Sequence, residues 1–101
     1  MIRHIVMLRA APEDTLDALM GALAGLVGEI DGFTGFSHGR NIDAEGKSPD
    51  YRYGFVCEFE DEAALHRYAC DGRHQTIGAD LVALCEGGAD GIMVYDLKVN
   101  G

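Results

Sequence analysis

The fold is decided by one stretch of alternating residues, Tyr51-Arg52-Tyr53-Gly54-Phe55-Val56-Cys57-Glu58-Phe59-Glu60. Its odd-numbered positions carry only aromatic or thiol side chains, while arginine, glycine and glutamate occupy most of the even-numbered positions. Side chains of a β-strand alternate between its two faces, so this pattern predicts a strand with one buried face. Asp61, which follows directly, is a good N-cap for a helix over residues 62–70.

The segments on either side predict further strands and helices in a defined order. Residues 2–10 form an apolar strand, and apolar residues at helical spacing from 12 to 30 predict a helix of about five turns. A second strand over 34–40 precedes the alternating stretch, and a helix over 74–86 and a last strand over 91–99 follow it. The order is βαββααβ. It predicts a ferredoxin-like α+β fold with an antiparallel sheet and helices on one face.

Composition excludes several classes of partner. The 101 residues include 8 Lys and Arg against 17 Asp and Glu, a net charge of −9. Binding to nucleic acid or to anionic membrane surfaces needs an excess of positive charge, so we expect neither partner. The length predicts a single domain over residues 1–101.

Cysteine usage bears on the compartment. Cys57, Cys70 and Cys85 are odd in number and none belongs to a CxxC pair, which predicts reduced thiols. The apolar run at the N-terminus is too short for a signal peptide, and residues 18–27 fall far short of the ~20 that span a bilayer. We therefore expect a cytoplasmic protein.

Two strands are apolar on both faces, which is unusual for a sheet covered on one side only. The pattern suggests that Ile5, Met7, Ile92 and Val94 lie on the face away from the helices. A second copy of the same sheet, packed in a C2 homodimer, would cover them. The alternative is a tolerated exposed patch on a monomer.

Four segments together resemble the stress-responsive A/B barrel (Dabb) family, a branch of the dimeric α/β-barrel superfamily. The resemblance covers essentially the whole chain and lies in the order and spacing of the segments. It implies a homodimer whose sheets form a barrel, with a small cavity between sheet and helices in each subunit. The segments are Ile2-Arg3-His4-Ile5-Val6-Met7-Leu8, Tyr51 to Ala63, Tyr68 with His74-Gln75, and Ile92-Met93-Val94-Tyr95-Asp96.

The resemblance also implies candidate site residues. Most members have no assigned reaction, but one plant member is a polyketide cyclase that closes an aromatic ring without metal or cofactor. Its catalytic Tyr and His match Tyr68 and His74, and the family's first-strand His matches His4. A further cavity His is replaced here by Tyr53, and the family's frequent His-Pro before the last helix is replaced by Asp71-Gly72.

We therefore expect one pocket lined by His4, Tyr53, Tyr68 and His74, which takes a small molecule and needs no metal or cofactor. His74 would be a general base and Tyr68 would donate a hydrogen bond to a developing enolate. The alternative is a non-enzymatic, stress-associated dimer or a passive ligand-binding protein. In that case His74 caps a helix, and Tyr68 and His4 are core residues with satisfied polar groups.

Metal and nucleotide chemistry find no support in the sequence. His66 and Cys70 stand one helical turn apart, a spacing that can hold a metal, but no third ligand is near in the sequence. The chain has no P-loop, GxGxxG, GxSxG or HExxH motif.

Overall fold

A computed structural model describes residues 1–100. The four strands are β1 (Ile2–Leu8), β2 (Phe33–Arg40), β3 (Tyr53–Phe59) and β4 (Ile92–Lys98). The three α-helices are α1 (Asp14–Ala24), α2 (Glu62–Cys70) and α3 (Gly72–Leu84), and a short 3₁₀ turn over Gly88–Gly91 leads into β4. This order confirms the predicted ferredoxin-like arrangement.

The strands form one antiparallel sheet in the order β2-β3-β1-β4. Tyr53, Phe55, Cys57 and Phe59 of β3 are all buried, on the face that the helices cover. We call this the inner face and the opposite side of the sheet the outer face. The alternating stretch therefore positions the core as its sequence pattern predicts.

Helix α1 is shorter than its apolar pattern predicts. It ends at Ala24 with Gly25 as its C-cap, and Gly28 has a φ of 80°, a backbone conformation that ends a helix and favours glycine. Leu26 and Ile30 are still buried although they lie beyond the helix. The apolar residues thus keep their helical spacing beyond the end of α1, in a turn that packs against the same core.

The two later helices begin at aspartate caps. The Asp61 side chain accepts a hydrogen bond from the Ala64 backbone N–H at 2.9 Å, as the sequence predicts. Asp71 does the same for Arg73, so α3 begins at Gly72, two residues before the predicted start. The hydrogen bond from the Arg73 side chain is the main cause that lowers the pKa of Asp71 to about 2.

The faces of β4 are the reverse of those that we expected. Val94 lies opposite Val6 and Ile92 opposite Leu8, which places both on the inner face. The exposed apolar residues of the outer face of β4 are instead Met93, Tyr95 and Leu97. Both faces of this strand are apolar, so the alternation alone gives no phase, and the register with β1 decides it.

Two further observations concern membrane-spanning helices and the cysteine thiols. No helix within residues 1–100 is both long enough and apolar enough to cross a membrane. All three cysteines are free thiols, and Cys57 and Cys85 are buried.

The turn before β2 depends on Gly32, and a Gly32→Ala variant tests this. Gly32 has a φ of 83°, and an added Cβ would lie 2.5 Å from the Cβ of Ala64 in α2. Left-handed strain and overpacking together should lower the free energy of unfolding by about 2–4 kcal/mol. Gly21→Ala, in the exposed interior of α1 with nothing within 4 Å, should raise it by about 0.5–1 kcal/mol. Urea unfolding of both variants checks this, and equal effects would contradict the close approach.

A second prediction concerns the free thiols. Because none of the three cysteines is paired, adding a reductant should leave the melting temperature of freshly purified protein unchanged. Thermal unfolding followed by circular dichroism, with and without reductant, measures this. A melting temperature that falls in reductant would show a stabilising disulfide.

Candidate functional site

Three aromatic side chains from three different elements meet beneath the inner face of the sheet. They are His4 from β1, Tyr68 from α2 and His74 from the first turn of α3. The ring centroids of Tyr68 and His74 are 3.9 Å apart, and those of His4 and Tyr68 are 5.7 Å apart. We call this cluster the aromatic wall. The break between α2 and α3 at Asp71 brings Tyr68 and His74 together, as the sequence analysis expected.

His74 is half-buried. Its Nδ1 is fully buried and has no hydrogen-bond partner among residues 1–100. Burial is the main cause that lowers the pKa of His74 from 6.5, and the nearby backbone of Ala69 and Tyr68 opposes this shift in part. Burial therefore favours the neutral imidazole, which is the form that can accept a proton.

The hydroxyl end of Tyr68 lies in the core. Only 1% of the residue is exposed, and its hydroxyl oxygen accepts a weak contact from the Cys57 thiol at 3.9 Å. Burial raises the pKa of Tyr68, and it raises the pKa of Cys57 to about 12. Both groups keep their protons at neutral pH.

His4 is held by a carboxylate that the sequence analysis did not single out. Its Nδ1 lies 2.5 Å from Oδ1 of Asp96, which sits directly opposite on β4. This contact orients the imidazole towards Tyr68. Asp96 stands two residues beyond Val94 on the same face of β4, so the correct phase for that strand would have identified it.

The aromatic wall separates two half-open clefts. An apolar cleft of about 340 Å³ lies between the sheet and α3, and a polar cleft of about 340 Å³ lies on the side of α2. Each volume is at the lower end of the range for small-molecule sites. Besides the wall, the apolar cleft is lined mainly by Val6, Leu8, Leu23, Phe55, Leu81 and Ile92, and the polar cleft by Glu62, Leu65, His66, Ala69 and Asp96.

Tyr53 does not belong to either of these clefts, so the expectation of one pocket lined by all four residues is wrong. Tyr53 lies opposite Leu8, whereas His4 lies opposite Cys57, about 13 Å further along β3. Its hydroxyl forms a 2.7 Å hydrogen bond with Nδ1 of His38 on β2. His38 was not a candidate in the sequence analysis. Its alternation with Phe36 and Arg40 could have placed it on the inner face, but its contact with Tyr53 depends on the pairing of β2 with β3.

The structure places His66 and Cys70 of α2 next to each other. His66 Nε2 and Cys70 Sγ are 3.6 Å apart on the exposed side of the helix. Across residues 1–100, no group of three or more His, Cys, Asp or Glu side chains is arranged to hold a metal ion.

Comparisons with solved structures identify the fold and one near relative. A dimeric ferredoxin-like protein of unknown function from Jannaschia sp. CCS1 is 50% identical, with 97% of this chain and 98% of that chain covered and a TM-score of 0.85. A Dabb family protein from Mesorhizobium loti is 26% identical, with 99% and 97% covered and a TM-score of 0.75.

A more distant neighbour shares the fold alone. The hydroxynitrile lyase from Passiflora edulis is 15% identical, with 98% of this chain and 93% of that chain covered and a TM-score of 0.82. No curated protein matches the sequence significantly.

The family comparison covers almost the whole chain. The model of the Stress responsive A/B Barrel Domain, abbreviated Dabb, matches residues 2–99. The same residues contain the sheet, all three helices and the aromatic wall. The chain therefore belongs to the Dabb, or stress responsive A/B barrel domain, family.

Proposed function

We propose that this chain is a cofactor-free, small-molecule enzyme in which His74 removes a proton from carbon next to a carbonyl group. The observation that carries the proposal is the position of His74, which lines both clefts and whose burial lowers its pKa. Because Nδ1 is buried, we assign the proton transfer to Nε2. A base whose pKa lies near or below neutral is suited to this step.

The apolar cleft is the proposed place for the body of the substrate. Aliphatic and aromatic side chains from β1, α1, β3 and α3 line it, and its polar groups lie mainly at the wall. A ligand with an apolar body would therefore present its carbonyl group to His74. Exclusion of water there would strengthen each polar contact that forms at the wall.

Tyr68 is the proposed hydrogen-bond donor to the enolate oxygen. The raised pKa keeps the phenol protonated, and the 3.9 Å contact with the Cys57 thiol is weak enough to exchange for an oxyanion. In the proposed step the proton goes to His74, the carbon–hydrogen electrons form the carbon–carbon double bond of the enolate, and the carbonyl π electrons move to oxygen. The enolate carbon then attacks the carbon of a second carbonyl group, whose π electrons move to its oxygen, and this alkoxide takes the proton back from His74. His4, oriented by Asp96, lines the site.

A non-enzymatic role is the second candidate, because one observation favours it. The hydroxyl of Tyr68 is buried against Cys57 instead of standing open in a cleft. In that reading the aromatic wall is core packing, and the clefts bind a ligand without changing it. The fold itself decides nothing between the two, although the Passiflora edulis neighbour is an enzyme by name.

Hydrogen–deuterium exchange at the α-carbon of small aryl ketones, measured by NMR, tests the proposed enzyme activity. His74→Ala should slow the protein-dependent exchange by roughly 10²–10⁴-fold, because the base is removed. Because burial lowers the pKa of His74, the wild-type rate should fall only at a lower pH than a free imidazole would give, as His74 becomes protonated.

The matched control is His38→Gln, since His38 lies in neither cleft that contains the wall. Its exchange rate should equal that of the wild type, and circular dichroism should show both variants folded. A folded His74→Ala protein with an unchanged rate would overturn the enzyme and leave the passive ligand-binding role.

We also propose that the chain forms a homodimer through the outer face of the sheet. Ile5 and Met7 of β1 lie there beside Tyr95 and Met93 of β4, which are 60% and 45% exposed. A contiguous apolar face of this kind favours a partner surface. The protein from Jannaschia sp. CCS1, half of whose residues are identical, is dimeric. Three free thiols also support the proposal that the dimer resides in the cytoplasm.

Sedimentation at micromolar concentration should therefore give about twice 10.9 kDa. Tyr95→Asp should shift the protein to a monomer, because it buries an unpaired charge at the interface. Ile42→Asp is the control, since Ile42 is 90% exposed in the loop between β2 and β3 and should leave the dimer intact. A wild-type monomer at this concentration would contradict the proposal.

A further inference from the structure

A histidine and a cysteine on the exposed side of α2 have no part in the proposed reaction. His66 and Cys70 stand one helical turn apart, so they lie on the same face of the helix. Both residues are exposed, and Nε2 of His66 and Sγ of Cys70 are 3.6 Å apart. Because α2 packs on the inner face of the sheet, the pair also stays open to solvent in a dimer formed through the outer face.

The separation of these two atoms fits a tetrahedral zinc ion. Zn–S bonds of about 2.3 Å and Zn–N bonds of about 2.0–2.1 Å, at a tetrahedral angle, put sulfur and nitrogen roughly 3.5–3.6 Å apart. The same distance allows a hydrogen bond between the thiol and the imidazole when no metal is bound. A zinc ion can therefore take the place of the thiol proton with little movement of either side chain.

The types of ligand and the space around them select the metal. Thiolate and imidazole are ligands that Zn²⁺ prefers, whereas Mg²⁺ and Ca²⁺ take oxygen ligands. His66 also lines the half-open polar cleft, so there is room beside the pair for water in the remaining positions. The Glu62 carboxylate lies one turn before His66, but it is paired with Lys98 at 3.3 Å and is not a ligand of this site.

We infer that His66 and Cys70 form a two-residue site for Zn²⁺, with water in the two remaining coordination positions. On binding, the thiol gives its proton to the solvent, and Sγ and Nε2 each donate a lone pair to the ion. With two protein ligands instead of four, the ion is held less tightly than in a closed structural site and exchanges with the solvent. The inference does not depend on the activity proposed for His74.

The test is a titration of reduced, tag-free protein with Zn²⁺ at pH 7.5, in competition with a chromogenic chelator. The wild type should bind a single equivalent of Zn²⁺, and an excess of Mg²⁺ should not displace it. Co²⁺, used as a spectroscopic probe, should give the near-ultraviolet absorption band of a cobalt–thiolate bond. A thiol that is only hydrogen-bonded to the imidazole gives no such band.

Variants of the two ligands test the assignment. Cys70→Ser and His66→Gln should each weaken zinc binding at least about tenfold, because loss of a residue that merely orients a ligand already costs about 10–100-fold. Cys70→Ser should also abolish the cobalt–thiolate band. The matched controls are Cys85→Ser, at a buried cysteine, and His38→Gln, on β2 outside the polar cleft. Both should keep the wild-type zinc affinity, and circular dichroism should show all four variants folded.

Three outcomes would overturn the inference. They are no zinc binding in the micromolar range, a zinc affinity that Cys70→Ser leaves unchanged, and a cobalt complex without the thiolate band. In the second case the ion lies elsewhere, such as at His4 and His74, which also line the polar cleft. The readout is metal binding alone, so the result stands whether or not His74→Ala alters ketone exchange.

Discussion

Strand β1 is hydrogen-bonded to a neighbour on each side, and the rest of the molecule is arranged around this double pairing. Its register with β3 places His4 opposite Cys57, and its register with β4 places His4 opposite Asp96. A slip of one residue on either side would turn His4 or its partner to the outer face. The register of the sheet therefore determines where His4 and Asp96 lie, independently of the contacts that the side chains of the wall make.

The aromatic wall contains both a well-packed ring, that of Tyr68, and a buried polar atom without a hydrogen-bond partner, Nδ1 of His74. Tyr68 packs against Phe33, Phe59 and both histidines, so its ring is a centre of the aromatic core. The buried Nδ1 of His74 lacks a partner in this same cluster, although most buried polar groups in proteins have one. Desolvation of this ring favours its neutral form. His74 can therefore be part of the core and still accept a proton.

The sequence predicted those parts of the fold in which pattern and local chemistry agree. The alternation from Tyr53 to Phe59 and the cap at Asp61 both depend on neighbouring residues, and both are found in the structure. The predicted end of α1 and the predicted assignment of β4 residues to the two faces of the sheet were wrong for a common reason. In each case apolar residues continued past the point where a glycine or a distant register determines the conformation.

The candidate site divides in the same way. Tyr68 and His74 are six residues apart across a single helix break, so their approach could be predicted from local structure. Tyr53 was expected beside them because it stands where the resembled family has a cavity His, but a position on the inner face of β3 does not fix the distance along the strand. Asp96 and His38 depend on pairings between strands, which composition and periodicity do not encode.

The contact between His4 and Asp96 joins residues that are 92 positions apart in the chain. Closing so long a loop costs conformational entropy before the contact can stabilise the fold, and contacts of this range slow folding. We expect helices and the β2–β3 hairpin to form first, around an incomplete sheet. The orientation of the His4 ring then waits for the edge strand to dock, so that a polypeptide that has collapsed and gained most of its secondary structure still lacks an ordered site.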